Sequence, residues 1–373
     1  MRFLTLPQFQ RHLANHPTHF ESYKTFVSTA RVKLFNGNIV SLAEYRREYP
    51  HIHAADLRNL YDHILNHSDY VAKFYNASLH VAPDNIIPSD MKPMFISEIN
   101  NSTESRFKNP VRNMFWRDIL RDTHTDFKGL PYLTALEDLY KHNIINHNIL
   151  SRAGLKYLED GQMSNVLAFY FFRASILNPY VVYSLQKRLL KSRRVFTPTL
   201  GWGSYFHGFV AGGVQEYVGV DVIQGVCKRV AEYAAEYHPE VVTRILCQPS
   251  ESLLKERKFL TQYCAHFDTV FCSPPYYRLE LYSGGKQSTE EYPSYEAWLE
   301  GYWRATVRVC YIVAATGGSF CYILGDYKDR KGTEYSLLDD MGRIAREEGF
   351  IYKRTIPMKN RDVSKEKIVI FVK

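Results

Sequence analysis

The chain has 373 residues, 45% hydrophobic, 14% aromatic and 23% charged, with 47 basic against 39 acidic side chains and a formal charge of +8. That length suits about two domains at roughly 150 residues each. The apolar fraction is ample for a packed core, which excludes collagen-like, low-complexity and wholly disordered chains. The positive charge favours a polyanionic partner without identifying one.

The first residues, Met1 to Gln8, hold no apolar run of signal-peptide length. The uncharged stretch Val309 to Gly325 is interrupted by Gly317-Gly318 and is too short to span a bilayer comfortably. It reads as a helix end, a turn and a buried strand. The expectation is a cytoplasmic protein with no membrane segment. Six cysteines (Cys227, Cys247, Cys264, Cys272, Cys310 and Cys321) include no pair at Cys-x-x-Cys spacing. They read as reduced, mostly buried thiols, with neither a disulfide framework nor a metal site.

Composition changes along the chain. Residues 1–190 hold only Gly37, Gly129, Gly154 and Gly161 of the 20 glycines, and eleven of the 14 histidines lie between His12 and His147. The early part is helical in pattern: Leu57, Leu60, Tyr61, Ile64 and Leu65 share a face, as do Phe115, Ile119 and Leu120, and Leu133 to Tyr140 is similar. Pro83, Pro88 and Pro93 mark a loop between these groups. The basic run Lys187 to Arg194 reads either as a phosphate contact or as a solvated helix end.

From residue 195 short strands alternate with helices. Val195-Phe196, Tyr217–Asp221, Arg244–Cys247, Asp268–Cys272 and Ser319–Leu324 read as strands, and Phe350–Met358 with Lys367–Val372 as a terminal hairpin. Helical patterns fall at 205–212, 222–236, 294–314 and 334–348. This alternation predicts a mainly parallel sheet covered on both faces, with ligands beyond the carboxyl ends of the strands. The fold class is therefore α/β, with a C-terminal antiparallel hairpin behind a mostly helical N-terminal domain. The boundary is drawn at 1–164 and 165–373.

Three motifs follow one another on these strands. The first strand runs through Thr197-Pro198 into Gly201-Trp202-Gly203, where missing side chains let a ligand approach the backbone. Asp221 ends the next strand, 18 residues after Gly203. A carboxylate there either accepts both hydroxyl protons of a ribose or caps the following helix. Ser273-Pro274-Pro275-Tyr276 comes directly after the strand ending at Cys272. Two prolines remove backbone donors and stiffen the loop, leaving a hydroxyl and carbonyls in fixed positions beside a ring suited to stacking on a base.

The combination resembles the S-adenosylmethionine-dependent DNA amino-methyltransferases, the adenine-N6 and cytosine-N4 enzymes of the class I, Rossmann-like fold. Ser273–Tyr276 is its most specific part, and the resemblance covers about residues 165–373. It implies that Ser273, Pro274, Pro275 and Tyr276 are catalytic, and that Pro198, Gly201, Trp202, Gly203, Asp221, Val222 and Ser273 hold the cofactor. Gln248, Ser250 and Glu251 would lie near its adenine, and Phe172, in Phe172-Arg173-Ala174-Ser175, would belong to the accessory cofactor segment. Tyr276, Tyr277, Arg278 and Asp326 would face the target base. One position departs from the pattern: Thr197 stands where the family has an aspartate that helps hold the charged amino group of the cofactor, and its hydroxyl would bind the cofactor in that carboxylate's place, as a weaker, neutral acceptor.

The implied chemistry follows from the residues. Ser273 and the Pro274 carbonyl would each accept an N–H of an exocyclic amino group, localising its lone pair for attack on a sulfonium methyl. No Pro-Cys dipeptide exists, so the thiolate route to C5-methylcytosine is absent. The target base would be flipped out of a duplex or single-stranded. Gly203 to Ser273 spans 70 residues and only 96 follow Tyr277; both stretches are consumed by sheet elements, so target recognition falls by elimination to the N-terminal region. DNA is the expected partner and RNA the alternative. A protein-glutamine methyltransferase, and a silent nucleic-acid-binding protein on the same fold, are the other readings.

Overall fold

The computed structural model describes residues 21–65, 86–120, 122–125, 131–161, 166, 171, 173–329, 331–359 and 366–373. Phe172 lies outside these. The described residues of 80–118 and 175–373 form one compact unit, and those of 3–79 and 119–174 form another.

The larger unit is built on seven strands: β1 (Arg194–Thr197), β2 (Glu216–Asp221), β3 (Val242–Cys247), β4 (Phe267–Cys272), β5 (Ala314–Leu324), β6 (Ile351–Pro357) and β7 (Lys367–Val372). Their order is β3-β2-β1-β4-β5-β7-β6, and β7 runs antiparallel to both β5 and β6 while the other pairs are parallel. This is the mainly parallel sheet with an antiparallel terminal hairpin that the sequence predicts.

Burial explains why these strands are legible. Val195, Phe196, Val218, Val220, Val270 and Phe271 in the middle strands are all within 1% of full burial, as expected where helices cover both faces of a parallel sheet. Edge strand β3 instead alternates exposed with half-buried residues. The helices of this unit include α1 (Pro179–Leu185), α2 (Ser204–Ala211), α3 (Gln224–Tyr237), α4 (Arg257–Gln262), α5 (Ala305–Val313) and α6 (Leu337–Glu347). Asn178 caps α1, its carboxamide oxygen accepting from the Tyr180 N–H at 3.1 Å, with Pro179 at the first helical position. The core gathers Trp298, Trp303, Phe320 and Tyr322 behind β4 and β5.

The strand expected at Ser319 starts earlier, at Ala314, and Gly317-Gly318 is a bulge within it rather than a turn. Gly317 takes φ +76°, and the two backbones stay bonded there: the Gly317 N–H donates to the Lys373 carbonyl at 2.8 Å and the Lys373 N–H to the Gly318 carbonyl at 3.0 Å. Residues 86–118 pack within this unit. The Tyr180 hydroxyl donates to the Lys92 carbonyl and the Ser184 hydroxyl accepts from the Met94 N–H.

The smaller unit is helical, with one element that periodicity does not show. Its described helices include Tyr23–Thr29, Leu42–Glu48, Ala54–Leu65, Tyr132–His142 and Arg152–Glu159. Leu57, Leu60, Tyr61 and Ile64 are buried as their spacing predicts, whereas Leu65, at the helix end, is exposed. Ser41 and Glu44 form a reciprocal capping box. Strands Ile39–Ser41, Arg31–Lys33 and Ile144–Asn146 make a three-stranded sheet; at three residues each they are too short to register as alternation. Among the described residues no helix is long and apolar enough to cross a membrane.

Candidate functional site

β1 and β4 lie side by side, but the chain leaves β1 toward β2 and leaves β4 toward β5 on the opposite side. A crevice opens beyond the carboxyl ends of strands at such a reversal. Here it is a cavity of about 330 Å³, lined from four strand ends. Pro198, Gly201 and Trp202 follow β1; Asp221 and Val222 close β2; Gln248, Ser250 and Glu251 follow β3; and Ser273, Pro274, Pro275 and Tyr276 follow β4.

The turn after β1 is unusual in its backbone. Gly201, Trp202 and Gly203 take φ of +53°, +57° and +78°, three successive residues in the left-handed region. For Trp202 that costs about 1–2 kcal/mol, offset by burial of its indole, 7% exposed, against the rings of Phe115 and Tyr282. A Cβ on Gly201 would fall 2.1 Å from the Tyr205 ring, so glycine is required there twice over. Gly203 does not line the cavity; it packs toward Val230 and Phe115.

Thr197 also faces away from the cavity. It is fully buried, and its hydroxyl shares a 2.7 Å hydrogen bond with that of Tyr217. The departure noted in the sequence therefore leaves no side chain of β1 directed at the cleft to hold a cationic group.

Asp221 is a local turn-former and a cleft residue at once. One oxygen accepts from the Ile223 N–H at 3.0 Å and the other from the Leu200 N–H at 3.2 Å, tying the glycine turn to β2. Burial raises its pKa, against the lowering effect of those N–H groups. Each oxygen keeps a further lone pair for a ligand. After β3, Gln248 donates from its amide to Glu256 at 2.7 Å, and Ser250 shares a 3.0 Å hydrogen bond with Thr306. Burial raises the Glu251 carboxyl.

The Ser-Pro-Pro-Tyr loop is held from beneath by a residue the sequence reading did not single out. The Tyr205 hydroxyl accepts from the Ser273 N–H at 2.9 Å and donates to the Ser273 carbonyl at 3.1 Å. Replacing Tyr205 by phenylalanine leaves that N–H without its acceptor; the expected cost is about 1–3 kcal/mol of stability, measured by urea unfolding. Wild-type stability in Tyr205→Phe would refute the clamp. The Tyr276 hydroxyl donates to Glu366 at 3.1 Å, and burial followed by that carboxylate pushes its phenol well above the ordinary range.

Three expected target contacts sit elsewhere. Tyr277 is buried with φ +52°; its hydroxyl donates to the Pro293 carbonyl at 2.5 Å, and its ring packs among Tyr295, Trp298 and Tyr335. Arg278 is exposed and does not line the cavity. Asp326 accepts from the Leu338 N–H at 2.9 Å, in the first turn of α6. In the basic run, Arg194 pairs with Asp268 at 3.1 Å and Arg188 lies over the Phe95 ring. Cys272 is buried, with its thiol raised well above the usual range by that burial. No group of three or more metal-ligating side chains occurs among the described residues.

The cavity also takes residues from distant segments: Asn101, Ser175, Glu280, Tyr282, Lys286 and Glu366. The loop after Tyr276 forms one wall. Gly285, at φ +67°, approaches so closely that a Cβ would lie 2.1 Å from the Val222 carbonyl oxygen, which brings this loop over the end of β2.

No family model matches the chain, and none of the curated proteins does. Solved structures are similar over part of it. TrmN from Thermus thermophilus is 14% identical, with a TM-score of 0.38 over 53% of this chain and 49% of its own, so the match spans about half the length of that protein. The PH0226 protein from Pyrococcus horikoshii is 13% identical over 50% of this chain and 85% of its own, with a TM-score of 0.35. A 1,6-didemethyltoxoflavin-N1-methyltransferase from Burkholderia thailandensis is 12% identical over 61% and 88%, with a TM-score of 0.35. What the cleft can do is therefore read from its own residues.

Proposed function

We propose that the protein transfers a methyl group from S-adenosylmethionine to an exocyclic amino nitrogen of a base in DNA, adenine-N6 or cytosine-N4. The observation that carries this reading is that Ser273-Pro274-Pro275-Tyr276 and Asp221 line one cavity at the switch point of the sheet.

The residues present fit that cofactor. A carboxylate stands at the end of β2 with acceptor capacity for a ribose, and at Gly201 the backbone turns without a side chain. The cavity, at about 330 Å³, falls within the ~300–1,000 Å³ of small-molecule sites. Among the described lining residues the carboxylates Asp221, Glu251, Glu280 and Glu366 outnumber the cation Lys286, which suits a ligand that is itself cationic. Bound there, S-adenosylmethionine supplies a methyl group on a sulfonium, a donor needing little activation.

The chain contributes positioning and electrostatics. The Ser273 hydroxyl and the Pro274 carbonyl accept the two N–H bonds of the amino group, which withdraws its lone pair from ring conjugation. The Tyr276 ring offers a face to the base, and its bond to Glu366 fixes the ring's position. Tyr205 keeps the Ser273 backbone in place. A duplex base must leave its stack to reach such a cleft.

Purified protein with S-adenosylmethionine labelled on the methyl group, offered plasmid DNA, total RNA or total protein in separate reactions, tests the reading. Label is expected in DNA. Label in RNA or protein alone moves the substrate class, and label in none contradicts the proposal.

A further inference from the structure

We infer that Glu280 holds the α-amino group of S-adenosylmethionine, taking the place of the carboxylate missing at position 197. The inference rests on the cofactor proposed above and concerns which residue receives its charged end.

Four observations point to Glu280. Thr197 has its hydroxyl committed to Tyr217 beneath the sheet surface, so β1 offers nothing to an ammonium group. Glu280 lines the cleft, where one oxygen accepts from the Ser175 N–H at 3.0 Å and the other from the Tyr282 hydroxyl. It is half-buried, no ion pair to it occurs among the described residues, and burial is the main cause raising its pKa, with the Glu366 carboxylate adding to it. A carboxylate withdrawn from water without a cation is costly unless a ligand brings one, and each oxygen can accept a second hydrogen bond.

Its place along the cleft matters most. The Tyr282 hydroxyl donates to Glu280, and the same ring meets the Trp202 ring edge-on at 5.4 Å, so Glu280 and the residue between the two glycines of the turn after β1 share Tyr282 as a neighbour. With a ribose at Asp221 and an adenine toward Gln248 and Glu251, the amino-acid end of the cofactor runs toward that turn. The other cleft carboxylates are engaged or distant. On the proposed reading Asp221 takes the ribose, Glu366 lies against Tyr276, the ring that would face the target base, and Glu251 sits after β3, where Glu291 is the carboxylate that influences it.

Two ligands separate the parts of the cofactor. S-adenosylhomocysteine carries the amino acid, whereas 5′-methylthioadenosine has the same adenine and ribose without it. By calorimetry, Glu280→Gln is expected to weaken S-adenosylhomocysteine roughly 10- to 100-fold and to leave 5′-methylthioadenosine within about twofold. Glu280→Asp, which keeps the charge on a shorter arm, should lose less and again spare 5′-methylthioadenosine. Wild-type protein should also prefer S-adenosylhomocysteine over its deamino analogue, a comparison that needs no variant. Equal affinity of the variants for S-adenosylhomocysteine, equal weakening of both ligands, or indifference of the wild type to the amino group would overturn the assignment. Wild-type protein that binds neither ligand fails at the earlier step, the cofactor itself.

Discussion

Gly201→Ala is expected to cost roughly 2–5 kcal/mol of stability and to remove binding of S-adenosyl compounds. Two effects add. An L-residue at φ +53° pays about 1–2 kcal/mol for the left-handed backbone. The new methyl would also stand 2.1–2.5 Å from two ring carbons and the hydroxyl oxygen of Tyr205, and overpacking of that kind costs about 1–3 kcal/mol. Tyr205 cannot simply move aside, because its hydroxyl carries both backbone groups of Ser273. The substitution therefore propagates from the glycine turn to the Ser-Pro-Pro-Tyr loop, the two halves of the cleft. Gly161→Ala supplies the control: φ is +70° there, but nothing lies within 4 Å, so only the backbone cost of about 1–2 kcal/mol applies. Urea unfolding and calorimetry on both proteins make the comparison. A Gly201→Ala protein no less stable than Gly161→Ala would mean that the turn and Tyr205 are not packed as described.

Asp221→Ala is expected to weaken both S-adenosylhomocysteine and 5′-methylthioadenosine about 100-fold or more. Hydrogen bonds to a charged acceptor contribute roughly 1.5–3 kcal/mol each, and two ribose hydroxyls would lose theirs together. The loss is not confined to the ligand, because the Leu200 and Ile223 N–H groups also lose their acceptor and the glycine turn loosens. Asp221→Asn is informative for the same reason. Each carboxylate oxygen already accepts one backbone N–H, so an amide NH₂ must face one of these donors, whichever way it is turned. Asn is therefore expected to behave nearly as badly as Ala. Equal weakening of the two ligands distinguishes Asp221 from Glu280, whose substitution should spare the ligand without an amino acid. An Asp221→Asn protein with wild-type affinity would remove the ribose assignment.

The sheet was readable because its central strands are short apolar runs closed by Gly, Asp or Pro, the pattern a parallel sheet covered on both faces imposes. Reading faltered where tertiary pairing decides the element. Ala314 to Gly318 continues the apolar character of α5 in sequence, yet joins β5 because the chain end at Lys373 bonds across the bulge. Likewise, strands of three residues in the smaller unit exist through their pairing and carry no pattern of their own.

The cleft divides in the same way. Gly201, Asp221 and Ser273 are legible because each sits at a strand end, where the topology itself brings them together. Tyr205, Glu280 and Glu366 reach the cavity from a helix and from two loops, and no spacing in the sequence announces their convergence. Adjacent tyrosines show the limit most clearly. Tyr276 lines the cavity while Tyr277, turned by a φ of +52°, enters the core. A local backbone angle separates a candidate catalytic ring from a packing residue of the same type. Thr197 could be recognised as a departure, but only the hydroxyl of Tyr217 shows where its side chain goes.

Mass spectrometry of nucleosides tests most directly whether this cleft methylates an exocyclic amino group, as proposed. Plasmid DNA incubated with the protein and S-adenosylmethionine would be digested and compared with the same reaction using Ser273→Ala. N6-methyldeoxyadenosine or N4-methyldeoxycytidine is expected with the wild-type protein, and at least a tenfold lower yield with the variant, in line with loss of a hydrogen bond made to the reacting group. Methylation at a ring carbon, or an exocyclic N-methyl product formed equally well without the Ser273 hydroxyl, would contradict the proposal.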